Sequence, residues 1–157
     1  MNLDMRLIEF LKVETVIPKL KSTTKLEVIK EIADNISKVH TNINKERLIE
    51  ALLEREKLCS TALDSGVAVP HAKISGIAEI ILGFGRSVEG IAFDSLDKTP
   101  TNFFITLIAP EDSSGFHIQL LALISKIFRD QDLRLRLMNC DSEEEIFLIL
   151  SSEDGKS

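Results

Sequence analysis

Basic charge, cysteine, histidine and long apolar runs are all scarce in this chain, and each scarcity removes a class of function. Lysine and arginine number 19 against 25 acidic residues, giving a net charge of −6 and a pI near 5.1. A dominant nucleic-acid or anionic-membrane role needs a cationic surface, which this balance does not supply. A local cationic pocket for a small acidic group is still compatible with it. The two cysteines, Cys59 and Cys140, lie far apart and fit neither a CxxC nor a zinc-ligand spacing, so two ordinary reduced thiols are expected. The three histidines add no local cluster to them, and no metal is expected. Gly83-Phe84-Gly85 lacks the spacing of a dinucleotide or P-loop fingerprint, and no serine sits in a nucleophile elbow, so no cofactor is expected either. No apolar run reaches the length of a membrane span. Met1 to Phe10 carries Asp4, Arg6 and Glu9, which interrupt any signal-peptide core. A cytoplasmic protein without membrane insertion is the expectation.

What is present fits one ordinary domain. The 157 residues, 44% of them apolar, suffice for a single core and exclude disorder. Residues 1–157 are expected to form one domain, ordered over about 3–150, with a loose tail at Ser151–Ser157. A short helix is predicted near Arg6–Leu11 and a strand over Val13–Pro18. Thr24 and Glu27 have capping-box spacing ahead of a stripe of Leu26, Ile29, Ile32, Ala33 and Ile36. Asn44 can cap a second helix whose inward stripe is Leu48, Ile49, Leu52 and Leu53. Gly66 to Val69 reads as extended, because Pro70 disfavours the helical region at Val69. Ile80–Phe84 and Asn102–Ala109 read as buried strands. Helices follow over Phe116–Phe128 and Gln131–Met138, and from the Ser142/Glu145 capping box to Leu150. Strands mixed with helices predict an α/β fold, a mixed β-sheet flanked by helices.

Four residues could carry chemistry. His71 follows a proline at a strand end, which presents its ring on a stiff backbone; a neutral imidazole there is a competent nucleophile near neutral pH. A satisfied histidine at a strand end explains the same residues, and both readings stand at this level. His117 opens the helix that carries Leu120, Leu121, Ile124 and Phe128. Its offsets of three, four, seven and eleven put it on that inward face. It sits at a helix N-terminus, a natural anion site, although a core histidine would fit as well. Arg55 extends the stripe of Leu48 and Leu52 and wants an anion if its charge is buried. Snorkelling to water, or an ion pair with Asp64 or Glu56, would serve instead. His40 ends a helix among polar residues and reads as a solvated C-terminal histidine. Arg129, Arg134 and Arg136 interleave with Asp130 and Asp132 and read as a solvated helix face or a minor docking surface.

Taken together, these segments resemble a known family. Leu53-Leu-Glu-Arg-Glu-Lys-Leu-Cys-Ser-Thr61, continued through Gly66-Val-Ala-Val-Pro-His71-Ala-Lys73, is similar to the active-site signature of fructose/mannitol-type enzyme IIA of the bacterial phosphotransferase system. Gly90-Ile-Ala-Phe-Asp-Ser-Leu-Asp97, Phe103–Pro110 and His117–Lys126 resemble further segments of the same family, in one register over nearly the whole chain. In detail the chain looks closest to the nitrogen-regulatory type. The resemblance implies a phosphoryl acceptor at His71, using the ring nitrogen distal to the backbone. It implies His117 and Arg55 as stabilisers of the phosphoryl charge. The implied donor is the phosphocarrier HPr or its nitrogen-branch counterpart, with regulatory target proteins downstream. A sugar-specific IIA that passes phosphate to a IIB domain is the alternative, and a binding module that keeps only the fold is another. The family's usual glycines are replaced here by Ala62, Asp64 and Ala72, and Asp64 places a negative charge in a segment close in sequence to the implied anion site.

Overall fold

Alternation along Thr101–Pro110 makes this strand, β5, the centre of the molecule. Phe103, Ile105, Leu107 and Ala109 face one side of the sheet, and Phe104 and Ile108 the other. The computed structural model describes residues 5–113 and 115–154. Around β5 lie β1 (Leu11–Ile17), β2 (Val67–Ala68), β3 (His71–Ile74) and β4 (Ile81–Ile91), in the order β1-β4-β5-β2, with β3 also on β5. β4 and β5 are antiparallel and the other pairings are parallel, so the sheet is mixed as predicted.

β2 and β3 are two halves of one edge strand. Val67 pairs with Phe103 and His71 with Leu107, the same offset, so the register carries across the gap at Val69-Pro70. Pro70 has no N–H to give, but its carbonyl still accepts from Leu107 N at 3.0 Å. His71 therefore opens a strand rather than ending one.

Helices cover both faces. α1 (Lys25–Val39) and α2 (Lys45–Leu58) pack against one side through Val28, Ile29, Ile32, Ala33, Ile36, Leu48 and Leu52. α3 (Phe116–Ile127), α4 (Gln131–Asn139) and α5 (Glu143–Asp154) cover the other through Leu120, Ile124, Leu133, Leu137 and Ile146. The local start signals act as expected. Thr24 Oγ1 accepts from Glu27 N at 3.2 Å, Asn44 Oδ1 from Arg47 N at 3.0 Å, and Ser142 Oγ from Glu145 N at 3.1 Å.

Several boundaries differ from the sequence expectation. Arg6–Leu11 contains only a 3-10 turn at Leu7–Glu9 before β1 begins. Leu26 is exposed, and Val28 joins the buried stripe of α1. β4 runs on past Phe84 to Ile91. Gly83 and Gly85, which look like breakers, keep their pairing with β5 and let α1 and Leu20 approach closely. A Cβ at Gly83 would lie 3.0 Å from Ile36 Cδ1, and one at Gly85 would lie 3.1 Å from Leu20. The tail expected to be loose from Ser151 is helical through Asp154. Ser152 Oγ donates to Ile149 O at 2.9 Å, so its hydroxyl follows the helix instead of breaking it. Residues 155–157 lie outside the described range. Among the described residues, no helix is long and apolar enough to cross a membrane.

Candidate functional site

The edge position of β3 is what assembles a site. A side chain on an interior strand sees one face of the sheet, whereas at the edge groups from both faces can meet. His71 and Lys73 stand on the same side of β3, and Ala72 turns into the α1/α2 core. α2 ends beside them from one face, and α3 begins beside them from the other. The result is an open cavity of about 520 Å³ lined by Arg55, His71, Lys73 and His117, with Glu54 and Leu58 on its α2 side. The three residues singled out in the sequence, His71, His117 and Arg55, are thus brought together.

The His71 ring is fixed by its own backbone. Its Nδ1 lies 2.7 Å from the Val69 carbonyl. A carbonyl only accepts, so Nδ1 carries the hydrogen, and in the neutral ring the lone pair falls on Nε2. Burial pushes the His71 pKa below the ordinary histidine value, and the Arg55 charge pushes in the same direction. The bond to Val69 and the Glu56 carboxylate oppose them without reversing the shift. At neutral pH the ring is therefore uncharged, with one free nitrogen.

His117 is half-buried in the first turn of α3, above Leu120 and Ile124. Its Nδ1 lies 2.9 Å from Ser113 Oγ. Burial lowers its pKa, as do the Lys73 charge nearby and the His71 ring whenever that is protonated. Arg55 does not occupy the buried row of α2. The next residue, Glu56, takes that place below Leu48 and Leu52, because four residues return to one face more closely than three do. Arg55 sits on the flank, half-buried, with Nη1 donating to the Cys59 carbonyl at 2.8 Å and no ion pair among the described residues. Neither ion pair considered for it forms. Glu56 is held by Lys25 at 2.9 Å, and Asp64 lines a separate depression with Arg129 and Arg134. The acids beside the His71 cavity are Glu54 and Glu56, and Asp64 does not line it.

His40 stands apart from this group and is only partly exposed. It caps α1 with Nε2 buried and unpartnered, in a depression shared with Lys12 and Glu79, and burial lowers its pKa. Residues the sequence reading assigned no role are Lys73, Glu54, Leu58 and Ser113. Lys73 lies in the matched signature, two residues from His71 on an alternating strand, which is a readable signal. Ser113 lies in a loop whose path no periodicity reveals.

Comparison with known proteins places these residues in context. Residues 9–153 match the family model described as phosphoenolpyruvate-dependent sugar phosphotransferase system, EIIA 2. A nitrogen regulatory protein from Bradyrhizobium diazoefficiens is 34% identical over 138 residues, covering 88% of this chain and 90% of that one. The fructose-specific EIIABC component of Bacillus subtilis is 29% identical over 150 residues, which are 96% of this chain but only 24% of that longer protein. The crystal structure of nitrogen regulatory protein IIA-Ntr from Neisseria meningitidis superposes with a TM-score of 0.85 at 29% identity, covering 91% of this chain and 97% of that one.

Proposed function

We propose that this chain, which belongs to the EIIA 2 family of the phosphoenolpyruvate-dependent sugar phosphotransferase system, carries a phosphoryl group on Nε2 of His71 and serves regulation. Members of that family are phosphotransferase components. The donor in this reading is a phosphohistidine on an HPr-type phosphocarrier protein, and the setting is the cytoplasm, with residues 1–157 acting as one domain. The observation that carries the reading is the bond from Nδ1 of His71 to the Val69 carbonyl. It leaves Nε2 as the nucleophile in a cavity rimmed by Arg55, Lys73 and His117.

The chemistry is a direct exchange between two imidazoles. The Nε2 lone pair of His71 attacks phosphorus. The donor's N–P bond breaks, and its electron pair returns to the donor ring. The hydrogen on Nδ1 of His71 stays on Nδ1, donated to the Val69 carbonyl throughout, so no base is needed. Phosphoryl transfer asks mainly for alignment and for charge to stabilise the spread negative oxygens. Arg55 offers the guanidinium nitrogens not engaged with Cys59, and His117 offers a ring N–H.

Regulation is supported by two relatives matched over about nine-tenths or more of their own length, each named a nitrogen regulatory protein. Transfer onward to a IIB domain for carbohydrate uptake is the second reading, favoured by the similarity to the fructose-specific component. The test is incubation with a phosphorylated HPr-type donor, with acid-labile phosphate mapped by mass spectrometry. The expected result is one phosphoryl group on His71, absent in His71→Ala. Labelling that persists in His71→Ala overturns the assignment. Adding isolated IIB domains then separates the two readings, because rapid loss of the label to IIB marks the uptake role.

A further inference from the structure

The two histidines of the cavity need opposite tautomers, and only one of them has its tautomer set by an unambiguous acceptor. For His71 the Val69 carbonyl decides. For His117 the partner is a hydroxyl, Ser113 Oγ at 2.9 Å from Nδ1, which can donate or accept. Neutral His117 has one ring hydrogen. If that hydrogen sits on Nδ1, facing Ser113, then Nε2 presents a lone pair, which repels a phosphoryl oxygen. If Ser113 donates, the hydrogen sits on Nε2 and completes the cationic and N–H lining supplied by Arg55 and Lys73.

We propose that Ser113 is a positioning residue: its hydroxyl donates to Nδ1 of His117 and so keeps the ring hydrogen on Nε2, directed at the phosphoryl group. The proposal rests on the functional reading above for the identity of that group, but not for the tautomer. Two further contacts hold Ser113 for this task. Its N–H donates to the Pro110 carbonyl at 3.2 Å, at the end of β5, and its carbonyl accepts from Phe116 N at 3.1 Å, at the start of α3. The strand that pairs with His71 and the helix that carries His117 thus converge on one serine. Because serine is uncharged, its replacement leaves the field in the cavity nearly unaltered. That separates tautomer control from electrostatic loss.

The experiment is nitrogen NMR of the imidazole rings, run above the pH where the histidines titrate, alongside the rate of phosphoryl transfer from a phosphorylated HPr-type protein. In the native chain His117 should show a bare Nδ1 and a hydrogen-bearing Nε2, and His71 the reverse. Ser113→Ala should shift His117 towards a mixed tautomer and slow transfer roughly three- to tenfold, the range for one lost hydrogen bond. Ser113→Thr, which keeps the hydroxyl, should restore both. A hydrogen found on Nδ1 of His117 in the native chain overturns the proposal, and so does a Ser113→Ala chain with unaltered spectrum and rate. If the native chain accepts no phosphoryl group, the functional reading falls and takes the phosphoryl role of Ser113 with it. The native spectrum still reports the tautomer whether or not Ser113→Ala folds.

Discussion

Replacing Glu56 with glutamine tests whether one buried carboxylate ties the two flanks of the site together. Glu56 is only 8% exposed. Its Oε1 accepts from Lys25 Nζ at 2.9 Å and from Thr61 N at 3.1 Å, and its Oε2 accepts from Thr61 Oγ1. The Thr61 carbonyl in turn accepts from Val69 N at 3.0 Å, the residue whose own carbonyl orients His71. Glu56 therefore links the start of α1 and the end of β2 to the end of α2, where Arg55 sits. Glutamine keeps the shape but turns one acceptor into a donor, facing either an ammonium or a hydroxyl. Hydrogen bonds to a charged group are worth about 1.5–3 kcal/mol each. Lys25 keeps Asp94 at 3.1 Å, so the full cost of stranding a buried charge is not incurred. The net loss comes to about 3 kcal/mol. With an unfolding entropy of roughly 2.1 cal/mol/K per residue, the whole chain loses about 0.33 kcal/mol per degree, so Tm should fall by about 9 °C. The assay is thermal unfolding at pH 7, with Glu54→Gln as the control. Glu54 pairs with Lys57 on the exposed face at 3.0 Å, and its loss should cost about 1 kcal/mol at most. A second readout is the His71 titration, which should move further down once the Glu56 charge is gone. A Glu56→Gln chain that melts within about 2 °C of the native one would refute the reasoning.

Two other outcomes follow from buried or partly buried charge. Arg86 is 5% exposed and makes no ion pair among the described residues. It donates to the carbonyls of Pro18 at 2.9 Å, Leu137 at 2.8 Å and Cys140, which closes the C-terminal end of α4 onto the sheet. Arg86→Met should strand those carbonyls and cost about 3 kcal/mol, measured by urea unfolding; no change in midpoint would contradict the capping role. Acid should destabilise the chain in two phases. His40, His71 and His117 all have lowered pKa values, so the unfolded chain binds more protons than the folded one once pH drops below about 6.5. Stability should be flat above pH 7 in this respect and decline from about 6.5 until each folded pKa is passed. Glu27, Asp34 and Asp97 have lowered carboxyl pKa values, so their contribution is intact above about 5 and is lost as pH falls through about 4 and below. Urea midpoints from pH 8 to 3 check both, and stability that rises between pH 7 and 5.5 would contradict the first.

Much of the molecule is legible wherever the deciding interaction is local. The caps at Thr24, Asn44 and Ser142 are such cases, because donor and acceptor lie within three residues of each other. The inward face of α3 is another, since 3.6-residue periodicity puts His117 above Leu120 and Ile124 whatever the helix packs on. Other boundaries are not local. Gly85 lies beyond the strand expected to end at Phe84, yet like Gly83 it is a strand position made small by Ile36 and Leu20 across the interface. His40 looks solvated by its neighbours, but its Nε2 is buried beside a depression lined also by Lys12 and Glu79. Arg55 and Glu56 are adjacent on one helix, and pattern alone did not tell which of the two enters the core.

The site shows the same division at closer range. Its ingredients are local: a proline that stiffens the approach to His71, a histidine at a helix start, an arginine at a helix end. Their meeting is not local. It follows from β3 lying at the sheet edge, where α2 arrives from one face and α3 from the other, and no short-range pattern encodes which strand is outermost. The same edge decides that Asp64, seven residues before His71, does not line its cavity. It also decides that the local Ser113–His117 pair, whose members lie four residues apart, stands at the cavity of His71. Periodicity and capping act through neighbours on the chain, whereas the order of strands is chosen by burying both faces of one sheet at once.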